Sequence, residues 1–268
     1  MKFVSFIEWN NTEAIGIVSK DDKKVIAIKE IISDFQYGEN PMIKLIKNMN
    51  GDLLKTLKNA SENFNKYPAY SIENIQILSP IRKPIHDIIC VGVNYSDHLK
   101  EIEGNKLMDK NNSKKAVYFS KRAIEIIGLG EKIKARFDLD KCLDYEVELA
   151  IIIGKNGKDI SVEKANDYIF GYSIFNDISS RTIQKEHSEW YKGKSLDYYS
   201  AMGPCIVYKD DIKDMILNIS LYLENGGNIN ITDSEGNTLL MKSVSLGYYD
   251  LADYILLNDG DISITNNK

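Results

Sequence analysis

The sequence predicts an α+β fold, and three observations support this fold class. Short apolar segments near the N-terminus, separated by polar turns, are typical of strands. Amphipathic stretches follow them and indicate helices. Short apolar runs in the middle of the chain, bounded by polar residues, indicate buried strands. The final segment resembles neither the N-terminal region nor the middle region, and it predicts a short helical tail.

The first 80 residues are predicted to form a small α/β domain. The segments Phe3–Glu8, Ala14–Val18 and Val25–Ile28 are predicted strands, because turns rich in Asn, Asp and Lys separate them. Two amphipathic stretches come next, and the apolar residues of the second share one helical face: Leu53, Leu54, Leu57 and Ala60. The prolines Pro80 and Pro84 favour extended chain, so a domain boundary is expected there.

Residues 81–223 are predicted to form a second domain that is built on buried strands. Three apolar runs indicate these strands: Ile88–Val93, Asp144–Ile153 and Tyr168–Asn176. Ser161 is the predicted N-cap of a short helix that ends at Ala165. Apolar residues then alternate with a period of two, which predicts one more strand: Leu217, Ile219, Leu221 and Leu223.

Residues 224–268 belong to a region with an internal repeat. When segment 221–233 is shifted by 33 residues, Leu223 falls on Leu256 and Gly227 falls on Gly260. A period of 33 residues is that of ankyrin repeats, which the segment 233–257 resembles. Repeats bury their faces on neighbours and need about three units, so this tail must pack on something else or remain poorly ordered. The resemblance implies a protein partner for the tail.

Composition excludes several classes of partner. The 268 residues are 43% apolar and 27% charged, which is ordinary for a globular protein. A net charge of −5 argues against electrostatic nucleic-acid binding. Three cysteines without CxxC spacing argue against a disulfide framework and a structural zinc site, and they favour a reducing compartment. No apolar run approaches the ~20 residues that span a bilayer, so we expect a cytoplasmic protein without membrane contact.

Two glutamates at a spacing of two mark the first candidate site. In a strand, Glu146 and Glu148 share one face and the apolar residues around them share the other. One interpretation is a half-exposed strand with a polar side. The other is a divalent-cation site, since hard cations prefer carboxylate oxygens. The apolar run that follows favours a buried strand, in which two carboxylates need a cation or another partner.

The segment after the Ile88–Val93 strand contains the second candidate. His98 and Glu101 are three residues apart, so they are neighbours on a helix. A carboxylate beside an imidazole can orient it and raise its basicity, which suits a general base that acts on water. A surface ion pair without a catalytic role is the alternative.

Two further segments contain polar residues at strand or loop ends. A predicted strand ends at Asp177 and a helix follows, so this aspartate is either a turn or capping residue or a ligand. The segment Gly193-Lys194-Ser195 lacks the spacing of a phosphate-binding loop, which excludes a nucleotide site of that type.

Five motifs together resemble the fumarylacetoacetate hydrolase family, which includes acylpyruvate hydrolases, oxaloacetate decarboxylases and hydroxy-diene-dioate isomerases. They occur in the order of the family between residues 75 and 223: VGVNYSDHLKE, YFSKRA, DYEVELAIIIGKNGKDIS, GYSIFNDISSRTIQ and GKSLDYYSAMGP. The resemblance implies that the α+β fold is a mixed β-sheet roll. The first 75 residues resemble the small N-terminal domain of many members.

The resemblance also implies a metal centre. Glu146, Glu148 and Asp177 match the three carboxylates that hold Mg²⁺, Mn²⁺ or Ca²⁺ in the family. The ion would chelate a 2-oxo acid or a 1,3-diketo acid and stabilise the enolate that forms. Lys194 matches a lysine that neutralises the developing negative charge.

The remaining implied roles concern the base and the substrate. His98 and Glu101 match the dyad that activates water. Arg181 and Gln184 match positions that face the substrate, and Lys121 lies in a motif that lines the same mouth. The family resemblance also implies a homodimer.

The chain departs from the family pattern at several places. Thr182 stands where the family has aspartate, and Arg122 stands where it usually has proline. The final strands and the glycine-rich active-site loop of the family are missing after residue 223, which predicts a truncated enzyme domain followed by the ankyrin-like tail. Two hypotheses follow from this truncation. The protein is a metal-dependent hydrolase, decarboxylase or isomerase that the truncation impairs, or it is an inactive remnant that binds a protein through its tail.

Overall fold

The computed structural model describes residues 1–92 and 116–212, together with positions 241, 263 and 265. The chain divides into two compact units, Met1–Lys213 and Asp214–Lys268. The candidate dyad His98 and Glu101 lies outside the described residues, as does the predicted strand at 217–223. The predicted ankyrin-like tail at 224–268 also lies outside them, apart from the three isolated positions.

The first 80 residues form strands and helices in the predicted order. These elements are β1 (Lys2–Ile7), β2 (Glu13–Val18), β3 (Lys24–Ala27), α1 (Ile28–Ile31), α2 (Pro41–Asn48), α3 (Gly51–Glu62), β4 (Tyr70–Ser71) and β5 (Gln76–Leu78). Ile28 does not end the third strand, as the sequence predicts, but begins α1. In α3, the Asn50 side chain accepts a hydrogen bond from the Leu53 amide at 2.9 Å, which caps the helix.

The following segment, up to residue 208, contributes the remaining elements. These are β6 (Ile88–Gly92), β7 (Val117–Lys121), β8 (Leu143–Asp144), β9 (Val147–Ile153), α4 (Val162–Ala165), β10 (Ile169–Asp177), β11 (Ser179–Ser180), α5 (Arg181–Glu186), α6 (Tyr191–Lys194) and β12 (Ser200–Tyr208). The described helices include none that is long and apolar enough to cross a membrane.

One sheet joins the two halves of the described chain. Its strand order is β4-β3-β2-β1-β12-β10-β9, and β5 also pairs with β1. Strand β1 is antiparallel to β12, with Lys2 opposite Val207. The sheet therefore runs across the boundary that the sequence predicts at residue 80. The shorter pairs β6–β7 and β8–β11 lie outside this sheet.

The main core lies where α2 and α3 cover the sheet. Leu45 and Leu57 are fully buried against Phe3, Ile15 and Ile17. Strand β1 is buried on both faces because Phe3 packs in this core, whereas Val4 and Phe6 pack in a second apolar cluster. This packing anchors β12, and β12 in turn holds β10 in register.

Two of the strands predicted to be buried are partly exposed within the described part of the chain. Ile89 in β6 is 77% exposed, and Ile153 in β9 is 62% exposed. Among the described strands, β9 is last in the strand order of the sheet and pairs with β10 alone. The predicted strand over Asp144–Ile153 is also interrupted, because Asp144 pairs with β11 and the ladder to β10 begins at Val147.

Candidate active site

The candidate carboxylates lie where β9 begins and β10 ends. In this antiparallel pair, Glu148 is opposite Phe175. The Asp177 amide donates a hydrogen bond to the Glu146 carbonyl at 2.8 Å, beyond the last paired residue. Strand register therefore brings together Glu146 and Asp177, which are far apart in the sequence.

Lys194 connects these two carboxylates. Its Nζ lies 2.6 Å from Glu146 Oε2 and 2.7 Å from Asp177 Oδ2. Lys194 ends the short helix α6, in which its amide donates to the Trp190 carbonyl at 3.1 Å. Asp177 is 3% exposed and Lys194 is 2% exposed, so this contact is a buried ion pair.

Lys121, at the end of β7, approaches Asp177 from another direction. Its Nζ lies 2.7 Å from Asp177 Oδ1 and donates to the carbonyls of Ile178, at 3.0 Å, and Lys194. Burial lowers the pKa of Lys121 from its ordinary value, although the Asp177 charge opposes this shift. Lys121 is fully buried and donates to backbone carbonyls; its position at the substrate mouth, which the family resemblance implies, stays a prediction.

Arg181 contacts the other side of Glu146. Its Nη1 lies 2.7 Å from Glu146 Oε1 and donates to Gln184 Oε1 at 2.8 Å. Its Nε donates to Asp144 Oδ2 at 2.8 Å. Helix α5 places Arg181 and Gln184 one turn apart, and the Ser180 side chain caps this helix by accepting from the Ile183 amide.

Opposing effects act on the Glu146 carboxyl. Burial alone raises its pKa, but the charges of Lys194 and Arg181 are stronger and hold the pKa below its ordinary value. Glu146 is therefore a carboxylate at neutral pH.

Cys90 of β6 lies close to the same charges. Burial raises the pKa of its thiol to about 12, and the charges of Asp177 and Glu148 also raise it. Lys121 and Lys194 act in the opposite direction. Glu148 and Asp177 therefore shift the pKa of this thiol in the same direction.

Aromatic rings form one wall of the site. Phe119 and Trp190 make an edge contact with ring centroids 5.3 Å apart, and Lys194 Nζ lies 5.1 Å from the Phe119 centroid. Gly92 ends β6 against the indole, since a Cβ on it would lie 2.7 Å from Trp190 Cζ3. The β6–β7 hairpin is thus packed directly on helix α6.

The donor atoms fit a hard divalent cation by their chemistry. Oxygen ligands suit Mg²⁺, Mn²⁺ and Ca²⁺, and two carboxylates converge on the single cationic nitrogen of Lys194. Asp177 Oδ1 is buried and accepts no well-aligned hydrogen bond from a described residue. Within the described ranges, no cluster of three or more His, Cys, Asp and Glu side chains is close enough to hold a metal. Glu148 is the third ligand that the family resemblance implies, and this assignment stays a prediction.

Sequence reasoning did not identify two residues of this cluster. Asp144 pairs with Arg181, and Ser179 donates a hydrogen bond to Glu146 Oε1 at 3.3 Å. Asp144 lies two residues before Glu146, so acidic residues stand at 144, 146 and 148. This alternation was the sequence signal for Asp144. No sequence signal distinguishes Ser179 from an ordinary turn residue.

The comparison with protein families covers most of the chain. The model of the family described as "Fumarylacetoacetate (FAA) hydrolase C-terminal" matches residues 87–265. The chain belongs to the fumarylacetoacetate hydrolase family. The family match reaches residue 265, across the segment that the sequence analysis assigns to an ankyrin-like tail, so the comparisons do not support that tail or the truncation.

Individual relatives agree with this membership. Oxaloacetate tautomerase YisK of Bacillus subtilis (strain 168) is 33% identical over 230 residues, which are 80% of this chain and 72% of the relative. The solved fumarylacetoacetate hydrolase of Exiguobacterium antarcticum is 32% identical, with a TM-score of 0.59 over 78% of this chain and 67% of that chain.

A more distant neighbour shares the fold. Maleylpyruvate hydrolase from Sphingobium sp. SYK-6, solved in complex with manganese(II) and pyruvate, is 22% identical, with a TM-score of 0.57. The match covers 80% of this chain and 69% of that chain. These solved structures agree with the α+β, largely antiparallel architecture of this fumarylacetoacetate hydrolase family member.

Proposed function

We propose that this chain is a divalent-metal-dependent enzyme that acts on a 2-oxo acid or a 1,3-diketo acid. The observation that carries the proposal is the convergence of the Glu146 and Asp177 carboxylates on one cationic position, 2.6 and 2.7 Å from Lys194 Nζ. Buried ionisable groups held in fixed positions are typical of catalytic sites. Family membership supports the same class of chemistry.

The proposed metal ligands are Glu146, Glu148 and Asp177, and the proposed ions are Mg²⁺, Mn²⁺ or Ca²⁺. A divalent cation at this position supplies Lewis-acid polarisation of the substrate carbonyl oxygen. The manganese complex of the Sphingobium neighbour makes Mn²⁺ the first ion to test.

The other proposed roles belong to side chains of this chain. Arg181 and Gln184, which contact each other at 2.8 Å, would orient the substrate carboxylate. The Lys194 ammonium would stabilise negative charge on the substrate oxygen. His98, oriented by Glu101, would accept a proton from substrate carbon or from water.

The Bacillus relative determines the first reaction to assay. That protein is named an oxaloacetate tautomerase, so oxaloacetate keto–enol tautomerisation is the first candidate. Acylpyruvate hydrolysis, oxaloacetate decarboxylation and hydroxydienedioate isomerisation are the other candidates within the proposed class. Ultraviolet absorbance of the oxaloacetate enol, followed with chelator and then with Mn²⁺, measures the first activity. Lack of metal-stimulated turnover in all four reactions would refute the catalytic proposal.

Two variants separate metal binding from catalysis. Glu148→Ala is expected to abolish Mn²⁺ binding in calorimetry, whereas Glu163→Ala removes an exposed carboxylate of α4 and is the matched control. His98→Ala is expected to remove turnover and to keep metal binding. Unchanged affinity in Glu148→Ala would exclude the metal assignment, and full activity in His98→Ala would exclude this histidine as the base.

We also propose that the chain assembles as a homodimer. A further part of the proposal is that the folded chain binds the metal. Sedimentation at the mass of a single 30.5-kDa chain would contradict the dimer. A thermal melt with chelator and then with millimolar Mn²⁺ tests the folded state, because a ligand that binds only the native protein raises the midpoint. A broad melt that does not respond to metal would instead favour the inactive remnant with a protein-binding tail.

A further inference from the structure

Every carboxylate oxygen of Glu146 and Asp177 has a cationic nitrogen close to it. The Glu146 oxygens lie 2.7 Å from Arg181 Nη1 and 2.6 Å from Lys194 Nζ. The Asp177 oxygens lie 2.7 Å from Lys194 Nζ and 2.7 Å from Lys121 Nζ. The pair is therefore already neutralised by side chains of the protein itself.

Two of these three cations have additional acceptors that hold them in place. Lys121 Nζ also donates to two backbone carbonyls. Arg181 also donates to Asp144 and Gln184. By contrast, the hydrogen bonds of Lys194 Nζ to described residues go only to the carboxylates of Glu146 and Asp177. Among the described residues, Lys194 is thus the one of the three cations that can move without leaving another acceptor unpaired.

We propose that the Lys194 ammonium and a divalent cation compete for the same two oxygens, Glu146 Oε2 and Asp177 Oδ2, so that Lys194 limits the metal affinity of the site. This inference rests on the metal assignment in the proposed function. It adds that the protein contains its own competitor for the metal.

The distances support mutual exclusion. Mg²⁺ and Ca²⁺ lie about 2.0 to 2.6 Å from carboxylate ligands, and Lys194 Nζ is 2.6 and 2.7 Å from these oxygens. An ion bound to both oxygens would occupy nearly the same point as the nitrogen, and their like charges repel each other.

The Lys194 ammonium also lies beside an aromatic ring. The Phe119 ring centroid is 5.1 Å from Lys194 Nζ, within the range of a cation–π contact. The lysine side chain has a flexible four-carbon stem, so the ammonium can shift without moving helix α6.

The test measures Mn²⁺ affinity of the full chain by calorimetry. Lys194→Met keeps most of the side-chain volume and removes the competing charge, so it is expected to bind Mn²⁺ at least tenfold more tightly than the wild type. Lys192→Met removes an exposed ammonium from the same helix and is expected to leave the affinity unchanged.

A second variant covers the case in which Lys194→Met does not fold without metal. Lys194→Arg keeps the charge and offers two parallel hydrogen-bond donors to the carboxylates, so it is expected to weaken Mn²⁺ binding. Thermal melts in chelator provide an independent measurement. Lys194→Met is expected to melt below the wild type in chelator and to gain more from Mn²⁺, because Glu146 Oε2 and Asp177 Oδ2 lose the cation that they share.

The outcomes separate this inference from the proposed function. If the wild type binds Mn²⁺ and Lys194→Met binds with equal or lower affinity, the competition is refuted and the metal site remains. If the wild type and both Lys194 variants fail to bind Mn²⁺, the metal site and the competition are both refuted.

Discussion

Removal of the buried Lys121 ammonium is expected to destabilise the protein strongly. Lys121 is fully buried, and its Nζ lies 2.7 Å from Asp177 Oδ1 and donates to two backbone carbonyls. Lys121→Met keeps the apolar stem but removes the cation at Asp177 Oδ1 and a donor from both carbonyls, while Lys194 still contacts Asp177 Oδ2. Breaking a buried ion pair by removal of one partner costs about 3 to 5 kcal/mol. For a protein of this size, that loss lowers the melting midpoint by roughly 6 to 20 °C.

Urea unfolding and thermal melts of the full chain measure this loss. Lys132→Met, at an exposed position, is the matched control and is expected to change stability by less than about 0.5 kcal/mol. The double variant Lys121→Met with Asp177→Asn removes both charges and is expected to recover at least about 0.5 kcal/mol through coupling. A loss below about 1 kcal/mol in Lys121→Met, or a double variant no more stable than additivity predicts, would refute the reasoning.

Three further predictions concern other parts of the described unit. The hydrogen bond from Lys29 to Glu8 raises the pKa of Lys29, so the stability that this pair contributes is complete below the ordinary value of 10.5 and is lost as pH rises through the higher folded-state pKa. Lys29→Met is expected to flatten the profile of unfolding free energy against pH from pH 10 to 12. An unchanged slope in urea titrations would contradict this. Gly92→Val is expected to destabilise the protein by about 1 to 3 kcal/mol and to shift its tryptophan fluorescence, because a Cβ would lie 2.7 Å from Trp190 Cζ3. An unaltered spectrum together with unaltered stability would argue against the contact. Leu57→Ala removes a fully buried side chain and is expected to lower the free energy of unfolding by about 2 to 5 kcal/mol. A loss under 1 kcal/mol would show that α3 is not packed as described.

The N-terminal elements could be predicted because their signals are local. Strands β1 and β2 follow apolar runs between polar turns, and α3 follows a helical spacing of apolar residues after an Asn cap. The change from strand to helix at Ile28 had no such signal, since an apolar β-branched residue fits either element. The exposed fractions of Ile89 and Ile153 depend on which strands lie at an edge of the described sheets. No local sequence pattern encodes whether a strand lies at such an edge.

The candidate site could be predicted only in part, for a similar reason. The residue types came from motifs, and the sequence grouped Glu146 with Asp177 only through the family resemblance. Their contact with Lys194 follows from strand register and from the packing of α6, which are properties of the tertiary structure. The burial of Lys121 likewise depends on where β7 lies against Ile178 and the end of α6. The predicted roles of His98 and Glu101 remain predictions.

The position of β12 between β1 and β10 determines when the sheet can be completed during synthesis. Lys2 and Phe3 pair with Val207 and Ile206, so this part of the edge of β1 has no strand partner until about two hundred further residues have been translated. At about 5 to 20 residues per second, that interval is roughly 10 to 40 s. The nascent chain can pair β1 with β2 and β5 early, but its remaining edge stays open to other strands and to chaperones on the ribosome.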